Sequence, residues 1–88
     1  MIKEEVEVGS EPGLNARAAN LFVKKASSFK SEITIIKDDK EYDGKSIMGI
    51  LSMGAVKGDK ILIKAEGNDE EEAVKVLVEL IKKGFNEL

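Results

Sequence analysis

The sequence contains no histidine, no cysteine and no tryptophan, and it has a single proline. Each absence closes a class of function. Without histidine or cysteine, structural zinc and iron–sulfur centres lose their usual ligands, and Ser-His-Asp or Cys-His catalysis loses its base. Without cysteine there is no disulfide framework of the kind small secreted domains rely on. Charge is short on the positive side: the formal net charge is -3, with no Lys/Arg run, so the basic footprint that a phosphate backbone demands is missing. No apolar run approaches the roughly 20 residues of a membrane-spanning helix. The opening Met1-Ile2-Lys3-Glu4-Glu5 lacks the apolar centre of a signal peptide, so a soluble, cytoplasmic protein is expected. Gly44, Gly49, Gly54 and Gly58 match neither a dinucleotide fingerprint nor a Walker A loop. Asp38-Asp39-Lys40-Glu41 lacks the ligand alternation of a calcium loop. No cofactor and no metal are expected.

What is present describes one globular domain over residues 1–88, with 42% hydrophobic and 35% charged residues. The Lys/Glu bias points to a heat-tolerant source. Ile2, Glu4, Val6 and Val8 share one strand phase. A loop from Gly9 to Gly13, containing Pro12, follows. Asn15 stands where a cap belongs for a helix from Ala16 to about Ser27, with Ala19, Phe22, Val23 and Ala26 as its buried face. Glu32 to Lys37 is rich in strand formers. Asp38-Asp39 makes a turn into a short, charged edge strand from Lys40 to Tyr42 or Asp43. Ser46 caps a short helix from Ile47 to about Ser52, and Lys60 to Ala65 alternates as the fourth strand. For the last helix, Asn68 and Glu71 have capping-box spacing, and Asp69 to Glu72 lie at the positive end of the dipole at its start. Lys82, Lys83 and Gly84 mark its end, and Ala73, Val74, Leu77, Leu80, Ile81 and Phe85 form its apolar stripe. The order β-α-β-β-α-β-α places this chain in the α+β class, with helices on one face of a four-stranded sheet. Periodicity does not say where the first and fourth strands lie.

Two stretches stand apart. In Gly13-Leu14-Asn15-Ala16-Arg17, an arginine occupies the first turn of a helix, the unfavourable end for a cation unless an anion visits. A guanidinium beside a helix N-terminus suits phosphate or carboxylate. Lys24 and Lys25 extend a basic edge toward an acidic partner. In Lys45-Ser46-Ile47-Met48-Gly49, a helix too short to bury Ile47, Met48 and Leu51 together leaves at least two of them for an exposed apolar patch.

These two stretches, about thirty residues apart in a chain of this length, closely resemble the HPr family, the phosphocarriers of the bacterial sugar phosphotransferase system. The resemblance runs over nearly the whole chain. It implies an open-faced β-sandwich with strand order 1-4-2-3, a monomer, and a carrier rather than an enzyme. Strand exchange remains open to the first strand through its Gly/Pro loop. Family members carry a phosphoryl group on a histidine, received from enzyme I and passed to a IIA domain. The matching position here is Asn15. Arg17 matches the arginine that steadies the phosphoryl group, and Ala18 replaces a common proline. Ser46 matches the serine that an ATP-dependent HPr kinase/phosphorylase modifies, after which the protein joins the regulator CcpA in carbon catabolite repression. The resemblance assigns Arg17, Lys24, Ile47, Met48 and Leu51 to partner docking, with any DNA contact belonging to CcpA. A Crh-like member without the active-site histidine is expected. The alternatives are a phosphocarrier whose histidine was exchanged for asparagine, or a heat-tolerant scaffold variant without current function.

Overall fold

A computed structural model describes the chain except for Ser10, Pro12 and residues 85–88. The elements run β1 (Ile2–Glu7), α1 (Ala16–Ala26), β2 (Glu32–Lys37), β3 (Lys40–Asp43), α2 (Ile47–Met53), β4 (Lys60–Glu66) and α3 (Glu70–Lys83). The element order is the one the periodicity predicts. The expected Phe85 of the last stripe and Pro12 of the loop lie outside the described residues.

The strands form one antiparallel sheet in the order β1-β4-β2-β3, as the family resemblance implies. Register shows why one face is dry. Ile2, Glu4 and Val6 lie opposite Ala65, Ile63 and Ile61, while Ile33 and Ile35 lie opposite Ala65 and Ile63. Cross-strand partners share a face, so these apolar residues make one continuous layer under the helices. Glu4 belongs to that phase yet stays exposed, which the edge position of β1 allows. The β2–β3 hairpin closes through Asp38 and Asp39, at φ 53° and 66°. Two left-handed residues in sequence match the twist of the flanking strands, and aspartate tolerates that conformation better than most side chains.

Above the sheet, α1 buries Ala18, Ala19, Phe22 and Ala26, with Val23 half-buried. The α3 stripe is Ala73, Val74, Leu77, Val78 and Ile81, with Leu80 at its half-buried margin. Val78 is buried on this helix, which lies over β1 and β4.

The start of α3 departs from the predicted capping box. Its cap is Asp69, one residue later than Asn68, and the Asp69 side chain makes no cap bond to its own helix. The carboxylate instead crosses to the α1–β2 link. It accepts from the Lys30 N–H at 2.8 Å, from the Ser31 N–H at 3.0 Å and from the Ser31 hydroxyl. Ser31 is fully buried, so those donors would be costly to leave unmade. A tertiary partner thus outcompetes the local cap. Glu70 takes the reciprocal role, accepting from the Gly67 N–H at 3.1 Å and from the Met1 amino group at 2.8 Å.

The Ser31 hydroxyl first, and the Lys30 N–H next, hold the Asp69 carboxyl below the usual aspartate range. A folded-state value below the unfolded one gives stability that is fully present above the unfolded value of about 3.9 and is lost as pH falls through the folded value. Replacing Asp69 with asparagine is therefore expected to lower stability at neutral pH and to flatten the acid limb. The check is the urea midpoint of both proteins from neutral pH down to about pH 3. Parallel curves would refute this role.

Candidate functional site

The Asn15 region is built by two local devices and one long-range one. Asn15 is extended (φ -83°, ψ -173°), and its side-chain carbonyl accepts from the Ala18 N–H at 3.0 Å, the cap bond its position predicts. Its own carbonyl accepts from the Ala19 N–H at 2.8 Å and starts the helix. The preceding loop is then pinned from outside. The Leu14 N–H donates to the Ala55 carbonyl at 3.0 Å, and Leu14 itself is buried. Gly13, at φ +107°, lies so close that a Cβ there would stand 2.5 Å from the Ala55 oxygen and 2.7 Å from the Val56 Cα. Only glycine meets both the left-handed backbone and that approach. The loop that presents Asn15 is thereby seated on the loop that follows α2.

Asn15, Arg17 and Lys24 are all exposed on α1. Among the described residues, Arg17 takes part in no ion pair. Its charge stands at the positive end of α1 with no carboxylate to offset it, and an anionic visitor would relieve that conflict.

Ser46 begins α2 in the same manner. Its hydroxyl oxygen accepts from the Gly49 N–H at 3.0 Å, and its carbonyl from the Ile50 N–H at 3.1 Å. The neighbouring Lys45 ammonium is engaged elsewhere, donating to the Phe29 carbonyl at 2.8 Å. Within α2, Ile50 and Met53 face the core, and Gly54 ends the helix in the left-handed conformation. The outward residues are Ile47, Met48 and Leu51, at 41%, 73% and 39% exposure. All three are therefore on the surface, where the sequence required at least two.

Helices α1 and α2 pack against each other, so the Asn15 region and the α2 patch lie on the same helical layer. Sequence reasoning missed Val56, which is 52% exposed and adjoins Gly13 across the loop contact. Its only signal was an apolar residue beside Lys57, Gly58 and Asp59, where a solvated loop has no need of one. A groove of about 280 Å³ is lined by Lys24 with Leu21 and Leu80, and one of about 490 Å³ by Glu32, Thr34, Tyr42 and Lys45; neither is lined by Asn15 or Ser46. The site is thus an open face, a shape that suits another protein better than an enclosed small molecule. Among the described residues there is no group of side chains arranged for a metal ion, and no helix is long and apolar enough to cross a membrane.

Comparison with known proteins places this surface in context. Residues 2–83 match the family model described as the PTS HPr component phosphorylation site. The chain is 44% identical over 87 residues to the phosphocarrier protein HPr of Neisseria meningitidis serogroup A, covering 99% of this chain and 98% of that protein. It is 47% identical over 83 residues to the HPr-like protein Crh of Halalkalibacterium halodurans, covering 94% and 99% respectively. The crystal structure of HPr-C-His from Thermoanaerobacter tengcongensis superposes with a TM-score of 0.94 at 48% identity, covering 100% of this chain and 99% of that one. With the same sheet order, the same helical layer and matches over nearly its full length, the chain belongs to the HPr family of the phosphotransferase system.

Proposed function

We propose that this HPr-family protein, a carrier-type protein and not an enzyme, is a Crh-like regulatory member. In this reading, histidine phosphotransfer is lost at Asn15 and phosphorylation at Ser46 is kept. The observation that carries it is the combination of an asparagine at the α1 cap with a serine cap beside an exposed apolar patch on α2.

The chemistry separates the two caps. An imidazole nitrogen has a free lone pair and can hold a phosphoryl group. The nitrogen of a carboxamide is delocalised into its carbonyl and is not a useful nucleophile at neutral pH. The chain has no histidine elsewhere to take over. Ser46 needs only an external kinase. Its oxygen attacks the γ-phosphorus of ATP, ADP leaves, and the hydroxyl proton passes to a base of the kinase. The product gains a charge of about -1.5 to -2 next to the α2 N–H groups, which accommodate it without refolding.

The partners in this reading are HPr kinase/phosphorylase and CcpA, engaged through Arg17, Lys24, Ile47, Met48 and Leu51. Enzyme I and IIA domains can dock on the same face but complete no transfer. Incubation with ATP and the kinase, followed by mass spectrometry, is expected to add one phosphoryl group at Ser46 and none to the Ser46→Ala variant. No modification, under conditions that modify an ordinary HPr, would remove the regulatory reading. Met48→Asp is expected to weaken binding to the kinase and to CcpA by about tenfold or more. The exposed position should leave unfolding free energy within about 0.5 kcal/mol of the parent. Titration calorimetry and urea unfolding read the two effects separately, and a collapse of stability would instead assign Met48 to the core.

A further inference from the structure

We propose that Met48 is a redox-sensitive element of the α2 surface, whose oxidation to methionine sulfoxide by a hydroperoxide turns docking off. The inference rests on the docking reading above and adds a modification site to it. With no cysteine in the chain, oxidative chemistry at sulfur falls on its three methionines. They differ sharply in access: Met53 is 5% exposed, Met48 is 73% and Met1 is 64%. Met1 precedes β1, with its amino group on Glu70, whereas α2 contacts β3, the opposite edge of the sheet. Met48 is the most exposed of the α2 apolar residues and lies between Ile47 and Leu51.

The step balances simply. The thioether sulfur attacks one peroxide oxygen, an S–O bond forms and the O–O bond breaks. The departing oxygen takes the proton and leaves as water or an alcohol. Sulfur is oxidised by two electrons and the peroxide is reduced by two. A sulfoxide reductase reverses the change with electrons from a dithiol. The product is a strong hydrogen-bond acceptor in place of a soft apolar group. In solvent it costs nothing, but inside an apolar contact it is desolvated with no donor to meet it.

The fold has no stake in that sulfur. Ile50 and Met53 make the inward packing of α2, and the Ser52 hydroxyl uses only the backbone carbonyl of Met48, at 2.7 Å. The Ser46 cap likewise involves the Gly49 N–H and not Met48. Oxidation can therefore change docking while leaving the Ser46 cap bond intact.

The test uses the whole chain. Limiting hydrogen peroxide is applied, then removed, and peptide mass mapping gives the oxidation rate at each methionine. The treated protein is titrated against HPr kinase/phosphorylase that has seen no peroxide. Expected are oxidation of Met48 well ahead of Met53, binding weakened by about five- to a hundred-fold, and recovery after sulfoxide reductase. Met48→Leu, which removes the thioether and nearly conserves volume, sets its own binding baseline, and peroxide should leave that baseline unchanged. Equal rates at Met48 and Met53 overturn the proposal. So does loss of binding in peroxide-treated Met48→Leu. Full Met48 oxidation with unchanged binding overturns it alone, provided Met48→Asp binds weakly. If Met48→Asp also binds normally, the docking reading fails and takes this inference with it.

Discussion

Replacing Asn15 with histidine is expected to convert a chain that takes no phosphoryl group from phosphoenolpyruvate and enzyme I into one that is labelled by them. In the proposed reading, the surroundings an acceptor histidine needs are in place. The Gly13 and Leu14 contacts to Ala55 fix the loop, the N-terminus of α1 faces outward, and Arg17 stands there without a carboxylate partner among the described residues. What Asn15 lacks is a nucleophilic lone pair, and an imidazole supplies it. The N–P bond formed would be labile to acid, which distinguishes it from a serine phosphate. The exchange has a structural cost, because the Asn15 side-chain oxygen now accepts from the Ala18 N–H. Loss of such a cap is expected to lower stability by about 0.5–2 kcal/mol, too little to unfold the domain. Adding Arg17→Ala to the histidine variant should slow labelling by about a hundredfold or more, the usual effect of removing one preorganised charge donor. Acid-labile label on the parent chain, or a folded histidine variant that takes none, would overturn the assignment of Asn15.

The largest expected loss of stability comes from Phe22→Ala. Phe22 is fully buried on α1, amid a core drawn from all three helices and from strands β1, β2 and β4. Truncation removes the ring's transfer free energy and leaves a cavity that a close-packed interior closes only in part. The expected cost is about 3–5 kcal/mol, and for a domain of this size it lowers Tm by roughly 12–40 °C. Against a total stability on the order of 5–15 kcal/mol, that loss is about a fifth of the total or more. Because α1 carries both Asn15 and Arg17, docking should fail with folding, whereas Met48→Asp should lose docking alone. Thermal unfolding followed by circular dichroism checks this. A shift of only a few degrees would show that α1 is held mainly by other contacts.

Residues near in sequence explain what could be read early. The caps at Asn15 and Ser46 bond three residues ahead, so side-chain type and helix phase suffice to locate them. The Asp38-Asp39 turn and the strands on either side of it are equally local. The absence of histidine is complete in the sequence itself, and it decides by chemistry alone that no imidazole can carry phosphate. The assignment of Asn15 to the phosphohistidine position is what the family resemblance implies, and spacing does not supply it.

Other features depended on partners distant along the chain. Alternation shows that β1 and β4 each have a dry face, but their pairing joins residues about sixty positions apart, and hydrophobic pattern carries no address. Asp69 looked like part of a helix cap region. Its carboxylate serves donors at Lys30 and Ser31 instead, because a buried serine must be satisfied and only the folded chain brings the two together. Val56 is a loop residue, and only the folded chain brings Gly13 against it. By itself, then, the sequence determined which local elements form and which chemistry is excluded. Tertiary structure decided which partners those elements meet and that Ile47, Met48 and Leu51 all remain on the surface, because burial is a property of the whole packed layer and not of any one segment.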